Sequence, residues 1–311
     1  MSDGARGAVV LGAAGFIGGW VGRELQRRGL PVTAVVRDLE RAATTFAAWP
    51  HAPAREQADL EVPGAGADLI RRHRPSLVFN LAGYGVDRTE TDPARARRLN
   101  DELVRELAEA CAEPAVDAKL VHVGSAAEYG EVVGVLREDG PTRPQGTYGT
   151  TKLEGTRALV EVARRAGTRA ICARLFTVFG EGEHDGRLLP LLRGAAGAAD
   201  LVPLSAGTQE RDFAWVGDVA PALVDLASAR WAPGTVVNLA SGRSHTVRAF
   251  ILAAARALGV AESRLAFGAV PSQAGDIAGF TVSVERLQSI LGRVLPGDLD
   301  AMLAAAVRPG R

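Results

Sequence analysis

Near the start of the chain, Gly12-Ala13-Ala14-Gly15-Phe16-Ile17-Gly18 follows a short apolar run, residues 8–11, and opens an amphipathic stretch. No other feature constrains the fold as tightly. A glycine at the first position permits a tight turn, one at the second lets backbone approach an anion, and one at the third lets a helix pack closely on a strand. The helix N-terminus then supplies free N–H groups and the positive end of its dipole. The pattern predicts a strand–turn–helix unit that holds a dinucleotide pyrophosphate, with Gly12, Ala14, Gly15, Phe16, Ile17 and Gly18 around it. The bland alternative is a plain strand-to-helix turn in a glycine-rich chain.

Apolar runs at 31–36, 77–81, 119–123, 170–175 and 235–239 read as strands. Between them, 16–28, 94–112 and 147–166 read as helices, and 247–258 as a later one; Leu99, Leu103 and Leu107 make one apolar stripe. Strands alternating with helices need crossovers, so the fold class is α/β, a Rossmann-type doubly wound parallel sheet covered on both faces. After Phe176 the pattern is broken by a polar, glycine-rich loop at 180–186 and by Pro190, Gly194, Gly197 and Pro203. Residues 1–176 are therefore expected to form the dinucleotide-binding domain, with 212–240 returning to it. Residues 177–211 and 241–311 are expected to form a smaller C-terminal substrate lobe.

With 36 basic against 36 acidic residues, the chain offers no global field for nucleic acid or an anionic membrane as partner. The N-terminal residues lead into an apolar run far shorter than a signal segment or membrane span, which predicts a cytoplasmic location. Cys111 and Cys172 lie in apolar segments and read as buried packing residues rather than a disulfide. His184 lacks a ligand set around it, so no metal is expected. His122 lies in a buried strand and reads as a packed imidazole. No histidine stands in a triad order with Ser125, which makes it a poor hydrolase nucleophile.

The second strand should end beside the adenosine ribose, where a basic residue would accept a 2′-phosphate and an acid would favour a free hydroxyl. Val36 is followed by Arg37 and Asp38. Arg37 points to NADP, with NAD possible because Asp38 could neutralise it or Arg37 could be a solvated loop residue. Asp59 and Leu60, at the end of the third strand, are placed to contact the adenine.

Tyr148-Gly149-Thr150-Thr151-Lys152 puts a phenol and an ammonium on one helix face. A nearby ammonium favours phenolate, which allows proton exchange with a carbonyl or alcohol near neutral pH. Ser125, 23 residues earlier, follows a strand and is placed to bond the same substrate oxygen. Tyr84 and Tyr129, and the segment 87–90 after the fourth strand, could border the pocket.

With these residues in hand, the chain resembles the extended short-chain dehydrogenase/reductases, in their NAD-dependent epimerase/dehydratase branch. The motifs are Gly12 to Gly18, Val78-Phe79-Asn80-Leu81-Ala82-Gly83, Asn100, Gly124-Ser125-Ala126-Ala127-Glu128-Tyr129-Gly130, Tyr148 to Lys152, Arg174-Leu175-Phe176 and Arg211-Asp212-Phe213. The resemblance implies catalysis by Ser125, Tyr148 and Lys152, and a cofactor groove lined by Leu81, Ala82, Gly83 and Phe176, with Tyr148 and Lys152 also on the cofactor side. It implies that Asn100 braces the active-site backbone, and that Tyr84, Ser125, Ala126, Thr177 and Arg211 face a nucleotide-sugar substrate. From the residues alone, Arg211 is equally suited to an ion pair. A homodimer through the helices carrying Asn100 and Tyr148 is implied as well. Sugar-nucleotide dehydratases carry acids where this chain has Ala126 and Ala127, and a methyl group cannot move a proton, so dehydration is discounted. Thr177 replaces an asparagine and Gly85 a lysine found in many relatives. The expectation is a keto-sugar reductase, with a 4-epimerase that retains NAD as the alternative and a non-catalytic NADP sensor as a third reading.

Overall fold

The computed structural model describes residues 6–87, 89–271 and 280–308. Its first elements are β1 (Ala8–Leu11), α1 (Phe16–Arg27), β2 (Val32–Val36), α2 (Leu39–Ala47), β3 (Ala54–Gln57), α3 (Ala65–His73) and β4 (Leu77–Asn80). They continue through α4 (Pro93–Arg97), α5 (Leu103–Ala112), β5 (Lys119–Ser125), β6 (Gly134–Leu136), α6 (Gly146–Ala166) and β7 (Ala170–Leu175). Next come β8 (Thr177–Phe179), α7 (Leu188–Ala195), β9 (Val202–Leu204), β10 (Glu210–Trp215), α8 (Val216–Ser228) and β11 (Thr235–Leu239). The last are β12 (Ser244–Thr246), α9 (Val247–Leu258), β13 (Leu265–Phe267), β14 (Phe280–Val282), α10 (Glu285–Leu291) and α11 (Leu299–Ala306).

Seven strands form the central sheet in the order β11-β7-β5-β4-β1-β2-β3. Every neighbouring pair in it is parallel. Helices cover both faces, which is why β1 and β7 are buried along their whole length and read as continuous apolar runs rather than alternating ones. One face packs Val10, Val21, Leu25, Val121, Ile171 and Leu223 together; the other packs Val9, Leu11, Leu103, Leu107 and Leu159. Each fully buried leucine there contributes about 1.5–3 kcal/mol. The strand order reverses between β1 and β4, so the loops leaving their C-terminal ends diverge and open a crevice. Gly12 follows one of these strands and Leu81 the other.

The helix expected over 94–112 is interrupted. Asp92 caps α4 by accepting the Ala94 and Arg95 amides, and a π turn over Arg98–Glu102 separates α4 from α5. Here α6 approaches so closely that a Cβ on Gly155 would lie 1.9 Å from the Asn100 carbonyl oxygen. Leu99, Leu103 and Leu107 stay buried through the turn, so the apolar stripe does not register it.

Beyond β7 the chain builds a second core from Phe179, Leu189, Phe213, Phe250 and Leu303, with Phe213 stacked on Phe250 at 4.3 Å. The three-stranded sheet β12-β10-β8 and the pair β13-β9 belong to this region, whereas β14 pairs with β6, from before α6, over a small cluster of Tyr129, Val132, Leu136, Phe280 and Val282. In the segment expected to return to the first domain, β10 pairs with β8 and β12 and α8 packs beside α1; Val178 of β8 and Ala214 of β10 already lie in the first core. The expected lobe segment 241–311 is also divided: Leu287 of α10 and Leu295 are buried in the first core. Apolar periodicity reports that a residue is buried, not in which core. Part of that segment, 272–279 and 309–311, lies outside the described residues.

Candidate active site

At the crevice, Gly12 adopts φ +75°, and a Cβ there would lie 2.9 Å from the Leu81 and Ala82 backbone. A Cβ on Gly18 would lie 2.1 Å from the Gly12 carbonyl oxygen, so two of the three glycines are demanded by packing alone. Gly15 differs: its N–H donates to the Gly12 carbonyl at 3.0 Å, and an added Cβ would meet only that oxygen, at 3.2 Å. The N-terminus of α1 has neither a side-chain cap nor an acid in its first turn, so its leading amides are not claimed by side chains. An open backbone face over unclaimed amides fits a pyrophosphate. The Ala14 carbonyl accepts from Thr45 at 3.2 Å, while Phe16 and Ile17 lean on the first core. On the opposite wall, Leu81 to Gly83 follow β4, and a Cβ on Gly83 would sit 3.3 Å from the Lys152 Nζ.

Arg37 is exposed at the end of β2 and lies 3.3 Å from Glu61. Asp38 does not neutralise it; its carboxylate caps α2 by accepting the Glu40 and Arg41 amides. Glu61, which sequence reading did not single out, is the partner, and it pairs with Arg95 as well. Asp59 is exposed two residues beyond β3 and accepts the Glu61 amide at 3.0 Å, whereas Leu60 leans on the second face of the core.

Ser125 ends β5, and Tyr148 and Lys152 stand one turn apart on α6. Burial raises the Tyr148 phenol above its ordinary value, and the nearby Ser125 hydroxyl draws it down. Around the ring, Glu128 and Glu90 raise it and Arg187 lowers it. Lys152 is buried and donates to the Val123 carbonyl at 2.9 Å; burial lowers its ammonium, and Glu128 and Cys172 oppose that. Asn100, fully buried in the π turn, accepts from the Tyr84 amide at 3.0 Å and donates to the Tyr84 carbonyl at 2.8 Å and to Thr151 at 3.0 Å. It ties the loop after β4 to α6. Gly85, at φ +98°, brings that loop against the Tyr148 ring, where a Cβ would lie 3.2 Å from Cδ2. Glu90 holds the loop by accepting the Gly85 amide at 2.8 Å.

Ala126 and Ala127 form a single 3-10 turn with Glu128 directly after Ser125. Thr177 and Phe176 follow β7, whose Leu175 is in register with Ser125. Phe213 of β10 is opposite Thr177, which puts Arg211 two residues outward on the neighbouring strand; its Nη1 donates to the Glu210 carbonyl at 2.7 Å. The Tyr84 hydroxyl oxygen accepts the Asp92 amide at 3.3 Å and its ring is buried. Tyr129 is buried too, stacked on Phe176 and donating to Asn238 at 2.6 Å, so it is part of the frame and not of the pocket wall. His184 is exposed, and His122 is packed inside with Nδ1 3.2 Å from the Asn80 amide nitrogen. Of the segment 87–90, Arg88 lies outside the described residues. Cys111 and Cys172 are free and buried, each thiol pushed up to about 12 by burial. Among the described residues no helix is long and apolar enough to cross a membrane, and no cluster of three His, Cys, Asp or Glu could hold a metal.

Residues 8–240 match the profile of the NAD dependent epimerase/dehydratase family. A dTDP-6-deoxy-L-talose 4-dehydrogenase (NAD(P)(+)) of Kitasatospora kifunensis is 33% identical over 253 residues, 77% of this chain and 75% of that protein. A UDP-glucose 4-epimerase of Azospirillum brasilense is 30% identical over 261 residues, 77% and 74% of the two chains. Among solved structures, MoeE5 in complex with UDP-glucuronic acid and NAD superposes with a TM-score of 0.80 at 30% identity, over 96% of each chain.

Proposed function

The chain belongs to the NAD dependent epimerase/dehydratase family, and from that premise we propose that it reduces the C4 keto group of a nucleoside-diphosphate 4-keto-6-deoxy sugar with NADPH, NADH also being accepted. Its broader activity is NAD(P)-dependent chemistry on a nucleotide sugar. The observation that carries the narrower reading is the Ser125–Tyr148 pair followed by Ala126 and Ala127, a site that can exchange one proton with a carbonyl oxygen but has methyl groups instead of acids at the two positions directly after Ser125.

Bound nicotinamide supplies the hydride that reaches the carbonyl carbon. The Tyr148 phenol gives the oxygen its proton, and the Ser125 hydroxyl donates a hydrogen bond to the same oxygen as charge develops. Lys152 keeps a positive charge beside Val123 and Gly83, at the wall of the crevice. Gly12, Gly15 and Gly18 hold the pyrophosphate, and Arg37 with Asp59 and Leu60 faces the adenosine end. Thr177 and Arg211, on the adjoining strands β8 and β10, reach for the substrate diphosphate. Mixing the protein with NADPH and a panel of nucleoside-diphosphate 4-keto-6-deoxyhexoses should consume the reduced-cofactor absorbance. A flat trace across the panel refutes the assignment. Tyr148→Phe should abolish turnover and leave cofactor binding near its parental strength.

The match to a UDP-glucose 4-epimerase over three quarters of both chains supports a second reading, since one serine, tyrosine and lysine set can oxidise C4 and reduce it again. In that case NAD copurifies with the protein, and UDP-glucose is inverted at C4 with no net change in reduced cofactor.

A further inference from the structure

The side chain of Glu128 is buried completely and makes two kinds of contact. One carboxylate oxygen accepts the Ser125 amide at 2.8 Å, and the other meets the Arg174 Nε at 2.7 Å, with Arg174 itself only 4% exposed. Ser125 returns the contact, its hydroxyl oxygen accepting the backbone amides of Ala127, at 3.1 Å, and Glu128. The pattern is a capping box around a single 3-10 turn, an element too short to need one for its own stability. Gly124 makes room for it, because a Cβ there would lie 2.4 Å from the Glu128 oxygen.

The consequence concerns hydroxyl chemistry. A serine hydroxyl has one proton to give and two lone pairs to receive. With both lone pairs occupied by backbone amides, the Ser125 proton is left pointing away from the turn, toward Tyr148 and the crevice. We infer that Glu128 is a positioning residue, held by Arg174, that fixes Ser125 as a donor toward the reacting oxygen and places a negative charge beside Tyr148 and Lys152. This rests on the proposed roles of Ser125 and Tyr148. Arg174 is anchored in turn: its guanidinium lies over the Tyr129 ring at 4.6 Å, and against burial, which lowers it, Glu128, Tyr129 and Cys172 raise it above its ordinary value. The charged and titratable groups facing the Tyr148 phenol are Glu128 from the 3-10 turn, Arg187 from the segment before α7 and Glu90 from the loop after β4; Lys152 shares its helix.

Glu128→Gln keeps an acceptor for the Ser125 amide and removes the charge. The chain has three tyrosines, Tyr84, Tyr129 and Tyr148, so subtracting the near-ultraviolet titration of Tyr148→Phe isolates the Tyr148 phenol without any substrate. In Glu128→Gln that phenol should ionise at lower pH, and the acid limb of NADP-dependent oxidation should move the same way. With NADPH and dTDP-4-keto-6-deoxyglucose, kcat should fall by about tenfold or more while KM changes little. In a Ser125→Ala background the same substitution should cost almost nothing further. An unmoved phenol titration, or an undiminished loss in the Ser125→Ala background, overturns the inference. Full activity of Ser125→Ala overturns the proposed role of Ser125 itself, which separates the two failures. Should Glu128→Gln not fold, Arg174→Lys keeps both charges and tests the same coupling: its phenol titration should stay near the parental pH, and a large displacement there also refutes the inference.

Discussion

Gly15 and Gly18 belong to one motif, yet the structure gives them separable jobs, and alanine at each should fail differently. In Gly18→Ala the new methyl group would begin 2.1 Å from the Gly12 carbonyl oxygen and 3.1 Å from the Ala13 Cα. Both are backbone atoms that no rotamer change can move, so α1 must lift from the turn by about 1 Å to reach ordinary contact. Overpacking of this kind costs about 1–3 kcal/mol. Replacing a helical glycine returns about 1 kcal/mol of that. The net loss is about 1 kcal/mol, roughly 2 °C of melting temperature for a chain this long.

Gly15→Ala has a different balance. Gly15 caps α1 at φ −75°, ψ 169°, which alanine adopts freely, and its Cβ would touch one oxygen at 3.2 Å. Loss of a glycine cap costs only a few tenths of a kcal/mol. The methyl group does, however, occupy the open face over the helix amides. Displacing one charge-assisted hydrogen bond to a phosphate costs about 1.5–3 kcal/mol, or about 10- to 100-fold in Kd. Thermal unfolding of the cofactor-free variants, paired with calorimetric NADPH titration, reads both effects. Gly15→Ala should melt within about a degree of the parent and bind far more weakly; Gly18→Ala should melt lower. Parental affinity in Gly15→Ala, or equal melting losses in the two variants, refutes the division of roles.

Other outcomes follow from the same geometry. Glu61→Gln releases Arg37 from its counterion and should raise the NADPH-to-NADH ratio of kcat/KM by a few-fold, as the worth of an exposed pair allows; Arg37→Ala should bring that ratio toward one, and an unchanged ratio in both variants removes Arg37 from cofactor selection. Gly155→Ala drives a methyl group into the Asn100 carbonyl, so it should lower both the melting temperature and kcat, and a variant that melts and turns over like the parent would show the π turn to be dispensable. Asp212 accepts the Ser241 amide and hydroxyl and the Gly242 amide, but burial dominates and raises its carboxyl to about 6. Because the folded value lies above the unfolded one, near 3.9, this group's contribution to stability is fully present below about pH 4 and is lost as pH rises through about 6. The urea-unfolding free energy of the parent relative to Asp212→Asn should therefore grow by about 2 kcal/mol between pH 7 and pH 4, and a flat difference disproves the shift.

What the sequence discloses about this protein depends on how far apart the interacting residues stand. The glycine motif is readable because the left-handed Gly12 and the approach of Gly18 to the Gly12 carbonyl act within one turn, although the contact of Gly12 with Leu81 and Ala82 does not, and Tyr148 and Lys152 are readable because helical spacing alone puts them on one face. Strands β1, β4, β5, β7 and β11 are readable as apolar runs because burial on both faces removes any alternation. Glu61 is different: its tie to Arg37 spans 24 residues, with α2 and β3 between them, and nothing near either residue marks it. Glu128 and Arg174 are 46 residues apart, and each looks like an ordinary charged residue until β5 and β7 are laid side by side. Asn100 was expected to brace the site only by resemblance; the π turn that aims it inward is set by contact with Gly155, which no local pattern records. Which core takes each residue is hidden for a related reason, since Phe213, Ala214 and Val216 are all buried, Phe213 in the second core and the other two in the first.

The same division bears on how the chemistry and the choice of substrate are built. Ser125, Tyr148 and Lys152 come from β5 and α6, and their positions are fixed by buried groups: Asn100 between the loop after β4 and α6, Glu128 and Arg174 beneath Ser125, and the Val123 carbonyl at Lys152. Thr177 and Arg211 come from β8 and β10, which pair with each other and rest partly on the second core. A substitution in the lobe can alter what is held against Tyr148 without disturbing the donor geometry at Ser125, whereas a substitution beneath Ser125 reaches the proton chemistry whatever the substrate is. This separation accounts for similarity at about one third identity both to a dehydrogenase and to an epimerase. On the proposed roles of Ser125, Tyr148 and Lys152 the proton machinery serves either reaction, and the difference between them is then expected in how long the oxidised or reduced cofactor and the keto sugar stay together, set by the lobe and the Arg37 end of the crevice rather than by the triad.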